Sequence, residues 1–94
     1  MTNNNKERLL DWFTDRYISG EIDFIQISQV HKDFKDVPYL SIRVLIVNLC
    51  EENFLESLKI GKFNHYYRCF RLNIAPGSEG LKYYVSRAIN KRNE

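Results

Sequence analysis

The chain has 94 residues, enough to enclose one hydrophobic core, so we expect one domain over residues 1–94 and exclude a second. Hydrophobic residues make up 44% of the chain and aromatic residues 14%, so the fold needs no structural metal or disulfide. The net charge of +2 is modest, but the basic residues are clustered. Between Lys59 and Arg92 the chain has eight basic residues and one acidic residue, Glu79.

The expected compartment is the cytoplasm. No stretch approaches the roughly 20 apolar residues of a membrane span. Residues 1–6 lack the apolar core of a signal peptide. Cys50 and Cys69 belong to no CxxC motif and have no histidine at metal-ligand spacing, so we predict reduced thiols, no zinc site and no cofactor.

The first half of the chain predicts helices. A helix is expected over residues 4–19, with Asn4 and Glu7 as a capping box and Gly20 at its end. Its apolar face consists of Leu9, Leu10, Phe13 and Tyr17. Residues 24–27 predict a short strand, and Ser28 is the expected N-cap of a helix over residues 28–35.

A third helix is predicted over residues 38–52. Pro38 favours a helix start and holds the preceding residue extended, which places a turn just before it. The inward face consists of Ile42, Leu45, Ile46 and Leu49. Asn53 is expected to take the left-handed conformation that ends the helix.

The apolar period changes to two after residue 53, which predicts a β-hairpin over residues 54–73. Alternation places Tyr66, Arg68, Phe70 and Leu72 on one face of the returning strand, and Tyr67, Cys69 and Arg71 on the other. Residues 75–78 predict a turn, and a last helix is expected over residues 77–90, followed by a polar tail.

Residues 37–55 follow a pattern of residue classes typical of a helix-turn-helix that passes into a wing. The matching residues are Val37, Pro38, Tyr39, Leu40, Ser41, Ile42, Ile46, Leu49, Asn53, Phe54 and Leu55, and then Phe70, Arg71, Leu72 and Asn73 in the returning strand. The chain therefore resembles the winged helix-turn-helix domains of the MarR and PadR regulator families. The resemblance implies an α+β winged-helix fold, with a three-helix core, a β-hairpin wing and an additional C-terminal helix. The chain departs from those families at His31, Lys35 and Asn53, which replace a small residue and two glycines.

In DNA-binding relatives the outward face of the third helix reads base edges. Here the outward residues are Tyr39, Ser41, Arg43, Val44, Val47 and Asn48. The polar members suit contact with phosphates or bases, and the positive end of the helix dipole assists the first of them. The two valines can contact thymine methyl groups, but an exposed apolar pair is also typical of a protein contact or dimer surface, so both alternatives stay open.

The predicted hairpin combines basic and aromatic side chains. They are Lys59, Lys62, Phe63, His65, Tyr66, Tyr67, Arg68 and Arg71. Basic side chains neutralise phosphates, and exposed rings stack on unpaired bases. The nucleic-acid contacts predicted from this set are Lys59, Lys62, His65, Tyr67, Arg68 and Arg71. The structural alternative is that Phe70, Leu72 and one tyrosine are core residues and that the charges are merely solvated.

Two groups of residues in the terminal helices are candidates for a protein interface. Trp12 could anchor a contact, with Arg16 one helical turn further on, although a partly buried core tryptophan is the simpler interpretation. Tyr83, Tyr84 and Val85 form a second candidate group in the last helix. Terminal helices of winged-helix regulators commonly pair. Two apolar terminal helices on so small a core favour a homodimer.

Catalysis finds little support, so we predict that the chain is not an enzyme. His31 and His65 have no cysteine, serine or carboxylate partner at motif spacing. Asp11 and Asp15 are spaced as a solvated pair on one helix, and no glycine-rich phosphate loop is present.

The sequence thus predicts a homodimeric transcriptional regulator that binds double-stranded DNA through the wing and the start of the third helix. One alternative is a winged-helix protein-interaction adaptor or host-factor inhibitor, motivated by the outward valines. Another is a single-stranded-DNA-binding replication accessory protein, motivated by the aromatic residues of the wing.

Overall fold

Four helices and a two-stranded antiparallel hairpin make up residues 4–92, the part of the chain that the computed structural model describes. The helices are α1 (Asn5–Ile18), α2 (Ile27–His31), α3 (Tyr39–Glu51) and α4 (Glu79–Arg92), and the strands are β1 (Leu55–Lys62) and β2 (His65–Leu72). The predicted α+β class and the predicted hairpin are confirmed. Residues 1–3 and 93–94 lie outside the described part of the chain. The signal-peptide prediction for residues 1–6 and the predicted polar tail therefore lie partly outside it.

The apolar faces of the first three helices meet the base of the hairpin in one core. Its buried side chains are Leu9, Leu10, Phe13, Ile25, Val30, Phe34, Val37, Ile42, Ile46, Leu49, Leu55, Phe70 and Leu72. Helix α3 is the central element, because Ile42, Ile46 and Leu49 are all completely buried. Burial of this stripe fixes the rotation of α3 about its axis, and so decides which of its side chains face outward.

Asn53 redirects the chain from α3 into the hairpin. Its φ of +67° is the left-handed conformation predicted from the sequence. The amide of Phe54 then donates to the carbonyl of Leu49 at 2.9 Å, which satisfies one of the last helical carbonyls. Leu55, the first residue of β1, is already buried, so the turn carries the chain directly back onto the core.

The prediction of a strand over residues 24–27 is wrong. Only Ile25 pairs, in a bridge to Phe70 in which the two residues exchange hydrogen bonds of 2.9 and 2.8 Å. Helix α2 begins at Ile27, two residues further on, and leaves no length for a longer ladder. The β-forming residues of this segment are instead used to attach the chain to the outer edge of β2.

Helix α2 is also shorter than the predicted 28–35, and Ser28 is not its N-cap. Gln26 occupies that position, and its amide donates to the side-chain oxygen of Gln29 at 3.0 Å. The helix ends at His31 because the amides of Asp33 and Phe34 bond three residues back, in tight turns. These turns lead to Val37, which must be extended before proline.

The outer helices differ at their ends. Asn4 precedes α1 but its side chain makes no capping hydrogen bond, so the predicted capping box is wrong. Helix α4 is displaced from the predicted 77–90 because Ser78 caps it: the hydroxyl accepts from the amide of Leu81 at 3.1 Å and donates to the carbonyl of Asn73 at 2.8 Å. The predicted polar tail from Asn90 is helical through Arg92.

Candidate nucleic-acid interface

The outward face of α3 is the one that the sequence predicts. Its exposed residues include Tyr39, Ser41, Arg43, Val44, Val47 and Asn48. Leu40, which is not among the predicted outward residues, is the most exposed apolar residue of the helix at 69%. The signal for it was present, because Leu40 and Val44 are spaced by four residues and neither belongs to the buried stripe.

The exposed residues of this face belong to two separate surface depressions. Val47 lines a concavity between α3 and the hairpin, whereas Leu40 and Val44 line a shallow groove beside the start of the helix. The two valines that the sequence treats as a pair therefore face different surroundings. A role for one of them implies nothing about the other.

The concavity between α3 and the hairpin is lined mainly by polar and aromatic side chains. Its lining residues are Gln26, Ile27, Ser28, Tyr39, Arg43, Val47, Tyr66, Tyr67, Arg68 and Phe70. The set contains two arginines, three tyrosine hydroxyls and no carboxylate. A surface of hydrogen-bond donors without acidic groups suits an anionic ligand such as a phosphate backbone.

The hairpin projects from the core, and its outer half is solvated on both faces. Residues 57–62 of β1 and 65–68 of β2 are all exposed, which includes Lys59, Lys62, His65, Tyr67 and Arg68. Burial begins only at Cys69, where the strand reaches the core. The predicted contacts in this half are therefore accessible to a ligand. Tyr66 and Tyr67 both lie outside the core.

Arg71 differs from the other predicted contacts because its surroundings within the protein hold it in place. Its guanidinium carbon lies 4.2 Å from the centre of the Phe24 ring, and its Nε lies 3.4 Å from a carboxylate oxygen of Glu56. Its Nη1 donates a hydrogen bond to the carbonyl of Ile22 at 3.3 Å. These contacts attach the segment before α2 to β2, so we assign Arg71 a structural role instead of the predicted nucleic-acid contact.

Salt bridges divide the basic residues of the described chain into two groups. The residues that pair with a carboxylate are Lys6, Arg8, Arg16, Arg71, Lys82, Arg87 and Lys91. All but Arg71 lie on α1 or α4. Within residues 4–92, the basic residues outside any salt bridge are Lys32, Lys35, Arg43, Lys59, Lys62, Arg68 and Arg92. All but Arg92 lie on α3, on the hairpin or in the connection that precedes α3.

The register of the hairpin sets basic residues opposite one another. Lys59 faces Arg68, and Lys62 faces His65. Like charges directly opposite on a sheet destabilise it, so the Lys59–Arg68 pair contributes nothing favourable to folding. A phosphate between the two cations would relieve that repulsion.

The predicted interface residues of α1 and α4 are largely occupied by contacts within the chain. The Trp12 indole donates to Asp33 at 2.9 Å, and its ring meets Phe13 and Phe34 edge to face. The Tyr83 hydroxyl donates to Asp11, and burial raises the pKa of that hydroxyl to about 12. Tyr84 packs edge to face on Tyr17. Of the group predicted in α4, Val85 is exposed, and Ile89, one turn further on, is exposed with it.

Both cysteines are free, and burial raises the pKa of the Cys50 thiol to about 11, far from the value of a reactive thiolate. The His31 ring lies edge to face against Tyr39. In residues 4–92 there is no group of three or more histidine, cysteine or acidic side chains placed to hold a metal ion. Within the same residues, every helix is too short or too polar to cross a bilayer.

Comparison with protein-family models, with curated proteins and with solved structures gave no match to this chain. We therefore infer its function from the charges and geometry of its own residues.

Proposed function

We propose that this chain is a winged-helix protein that binds double-stranded DNA through the first half of α3 and the hairpin, as a homodimeric transcriptional regulator. The observation that carries the proposal is the separation of charge. Acidic residues pair with the basic side chains of α1 and with those of α4 except Arg92, while Arg43, Lys59, Lys62 and Arg68 have no salt bridge within the described residues. Arg43 and Arg68 line the same concavity, and Lys59 lies opposite Arg68 in the hairpin, so three unneutralised cations are available to a phosphate backbone.

The order of elements supports the winged-helix assignment. Helices α2 and α3 and the turns between them correspond to the helix-turn-helix, and β1 and β2 to the wing. The bridge between Ile25 and Phe70 corresponds to a first strand reduced to one residue. The position of α3 between the core and solvent is the position of a recognition helix in this architecture.

Helix α3 and the hairpin offer complementary contacts to a duplex. The major groove admits one α-helix, and Ser41 and Arg43 lie near the end of α3 where the helix dipole favours phosphate. Val47 lies one turn further on, where an apolar side chain can contact a thymine methyl group. Lys59 and Arg68 extend the same basic surface along the hairpin.

The test is the salt dependence of binding to a fluorescently labelled duplex of mixed sequence, measured by anisotropy. Log affinity should fall linearly with log salt concentration, and Lys59→Gln with Arg68→Gln should reduce the slope by about 0.9 for each phosphate that is no longer neutralised. The matched control, Lys6→Gln with Arg16→Gln, removes the same charge from α1 and should leave the slope unchanged. An equal reduction in both variants, or no binding by the unmodified protein at low salt, would contradict the proposal.

The same assay separates the alternatives. Tighter binding to a single-stranded oligonucleotide than to the duplex, abolished by Tyr67→Ala, would favour the replication accessory protein. Leu40→Asp with Val44→Asp should not change duplex affinity, because the groove beside the start of α3 is separate from the basic concavity. Failure of that variant to bind the duplex would instead place the groove in the DNA interface.

The homodimer belongs to the same proposal, and its contact surface is the outer face of α4. Leu81, Val85 and Ile89 are spaced by four residues, and they line a shallow apolar groove together with Lys82, Ser86 and Asn90. In an antiparallel pair of α4 helices that cross at Val85, Leu81 of one copy lies opposite Ile89 of the other. Glu79, which pairs with Lys82 of its own helix at 3.0 Å, then also lies near the C-terminal end of the second helix, where Arg92 has no salt bridge within residues 4–92. Opposite charges and opposed helix dipoles both favour this arrangement.

A further inference from the structure

The tip of the hairpin carries the most exposed large apolar side chain of the described residues. Phe63 is 86% exposed. It is the first of the two residues that join β1 to β2, beyond the last cross-strand pair, Lys62 and His65. An aromatic ring in that position gains nothing from the core.

The backbone of Phe63 is also unfavourable for this residue type. Its φ is +58°, whereas Asn64 beside it does not have a positive φ. In a two-residue hairpin turn with a positive φ at the first position only, glycine is the usual residue, because it has no Cβ to strain. A residue that suits neither its conformation nor its exposure indicates a role outside the fold.

The surroundings of Phe63 indicate a nucleic acid as the partner. Basic residues face each other across the strands just below the tip, Lys62 with His65 and Lys59 with Arg68. A minor groove has a row of phosphates along each edge and stacked base pairs at its floor. A narrow hairpin with cations on its sides and an apolar ring at its end is complementary to that groove.

We propose that Phe63 is a wedge that enters the minor groove, separates two stacked base pairs and bends the duplex. This inference rests on the proposed function, because it needs a protein that binds duplex DNA. The basic residues of the hairpin hold the tip at the groove, and the ring replaces part of the base stacking that the bend disrupts. Flexible steps such as TA and CA are the preferred insertion sites, since they unstack at the lowest cost.

The experiment measures binding and bending of one duplex, labelled at its two ends with a fluorescence resonance energy transfer pair. The unmodified protein should raise the transfer efficiency, because bending brings the ends together. Phe63→Gly should bind about tenfold more weakly, with an unchanged salt slope, and should not bend the duplex. Phe63→Leu, which keeps an apolar wedge, should retain most of the bending.

Thermal unfolding of the same variants separates a DNA contact from a structural role. Glycine suits the backbone at position 63, so Phe63→Gly should have a melting temperature equal to or above that of the unmodified protein. A clear drop in melting temperature would assign Phe63 to the fold and overturn the wedge.

Three further outcomes would overturn the proposal, and only the last of them would also remove the proposed function. Bending by Phe63→Gly equal to that of the unmodified protein, or weaker binding confined to single-stranded oligonucleotides, would remove the wedge and leave duplex binding intact. Failure of the unmodified protein to bind the duplex at low salt would remove the proposed function as well.

Discussion

Gly80, in the first turn of α4, is held between two backbone carbonyls. A Cβ at this position would lie 2.2 Å from the carbonyl oxygen of Asn73 and 2.4 Å from that of Phe54. Its amide also donates to the carbonyl of Asn53 at 3.0 Å. The start of α4 is thus packed against the two ends of the hairpin, and only a residue without a side chain permits that approach.

Gly80→Ala should therefore lower the free energy of unfolding by about 1–3 kcal/mol, the usual cost of overpacking, despite the higher helix propensity of alanine. Urea unfolding measures the effect. Ser86→Ala is the matched control, since it places alanine at an exposed position of the same helix and should be neutral or slightly stabilising. Equal stability of the two variants would show that α4 can move away from the hairpin at little cost.

At the scale of elements, the contact between α1 and α4 is made by charged groups as much as by rings. Arg87 donates to both oxygens of Asp15, at 2.8 and 2.9 Å, and also lies 3.3 Å from Asp11. Lys91 approaches Asp15 at 3.2 Å. The hydrogen bonds from Arg87 are the main cause that lowers the pKa of Asp15 from its ordinary value. The same pairing raises the pKa of Arg87, which stays charged.

This pairing predicts a specific decrease of stability in acid. An acid whose pKa is lowered by folding stabilises the fold above its ordinary pKa, near 3.8, and that contribution disappears as the pH falls through the lower folded value. Because the Asp15 side chain is 36% exposed, the contribution should be below about 1 kcal/mol. Urea unfolding from neutral pH downward measures it.

Asp15→Asn should flatten the acid limb of that profile and lower stability at neutral pH. Asp23→Asn changes an exposed aspartate that forms no salt bridge with the described residues, so it should leave the profile as it is. The same acid limb in the Asp15 variant would contradict the assignment and move the effect to another pair, such as Asp36 with Arg8.

At the scale of the whole molecule, the exposed apolar residues of α4 are the proposed dimer contact. Val85→Glu with Ile89→Glu should convert the proposed dimer to a monomer, raising its dissociation constant at least about tenfold, because like charges then meet across the two-fold axis. Sedimentation equilibrium measures this. The control, Leu40→Glu with Val44→Glu, adds the same two negative charges to the exposed apolar residues of α3. It should leave the dimer intact. A monomer in the unmodified protein, or dissociation caused by the Leu40 and Val44 changes, would contradict the assignment to α4.

The sequence by itself determined the features that depend on local spacing. The change of apolar period at Asn53, the left-handed turn at that residue and the outward face of α3 follow from which side chains can share a core. Such signals lie within a few residues of one another, so they need no knowledge of the rest of the chain. Boundaries were less well determined, because the starts of α2 and α4 depend on hydrogen bonds between the backbone and the side chains of Gln29 and Ser78.

Only the tertiary structure decided which charged and aromatic side chains are available to a ligand. Arg71 and Lys59 are equivalent in a strand pattern, but Phe24 and Glu56 surround the first, while no salt bridge from residues 4–92 engages the second. Tyr83 is turned toward Asp11, whereas Val85, two residues later, faces outward. The physical reason is that pairing and burial are set by groups distant in sequence. Asp15 and Arg87, 72 residues apart, neutralise each other only once α1 and α4 have packed together.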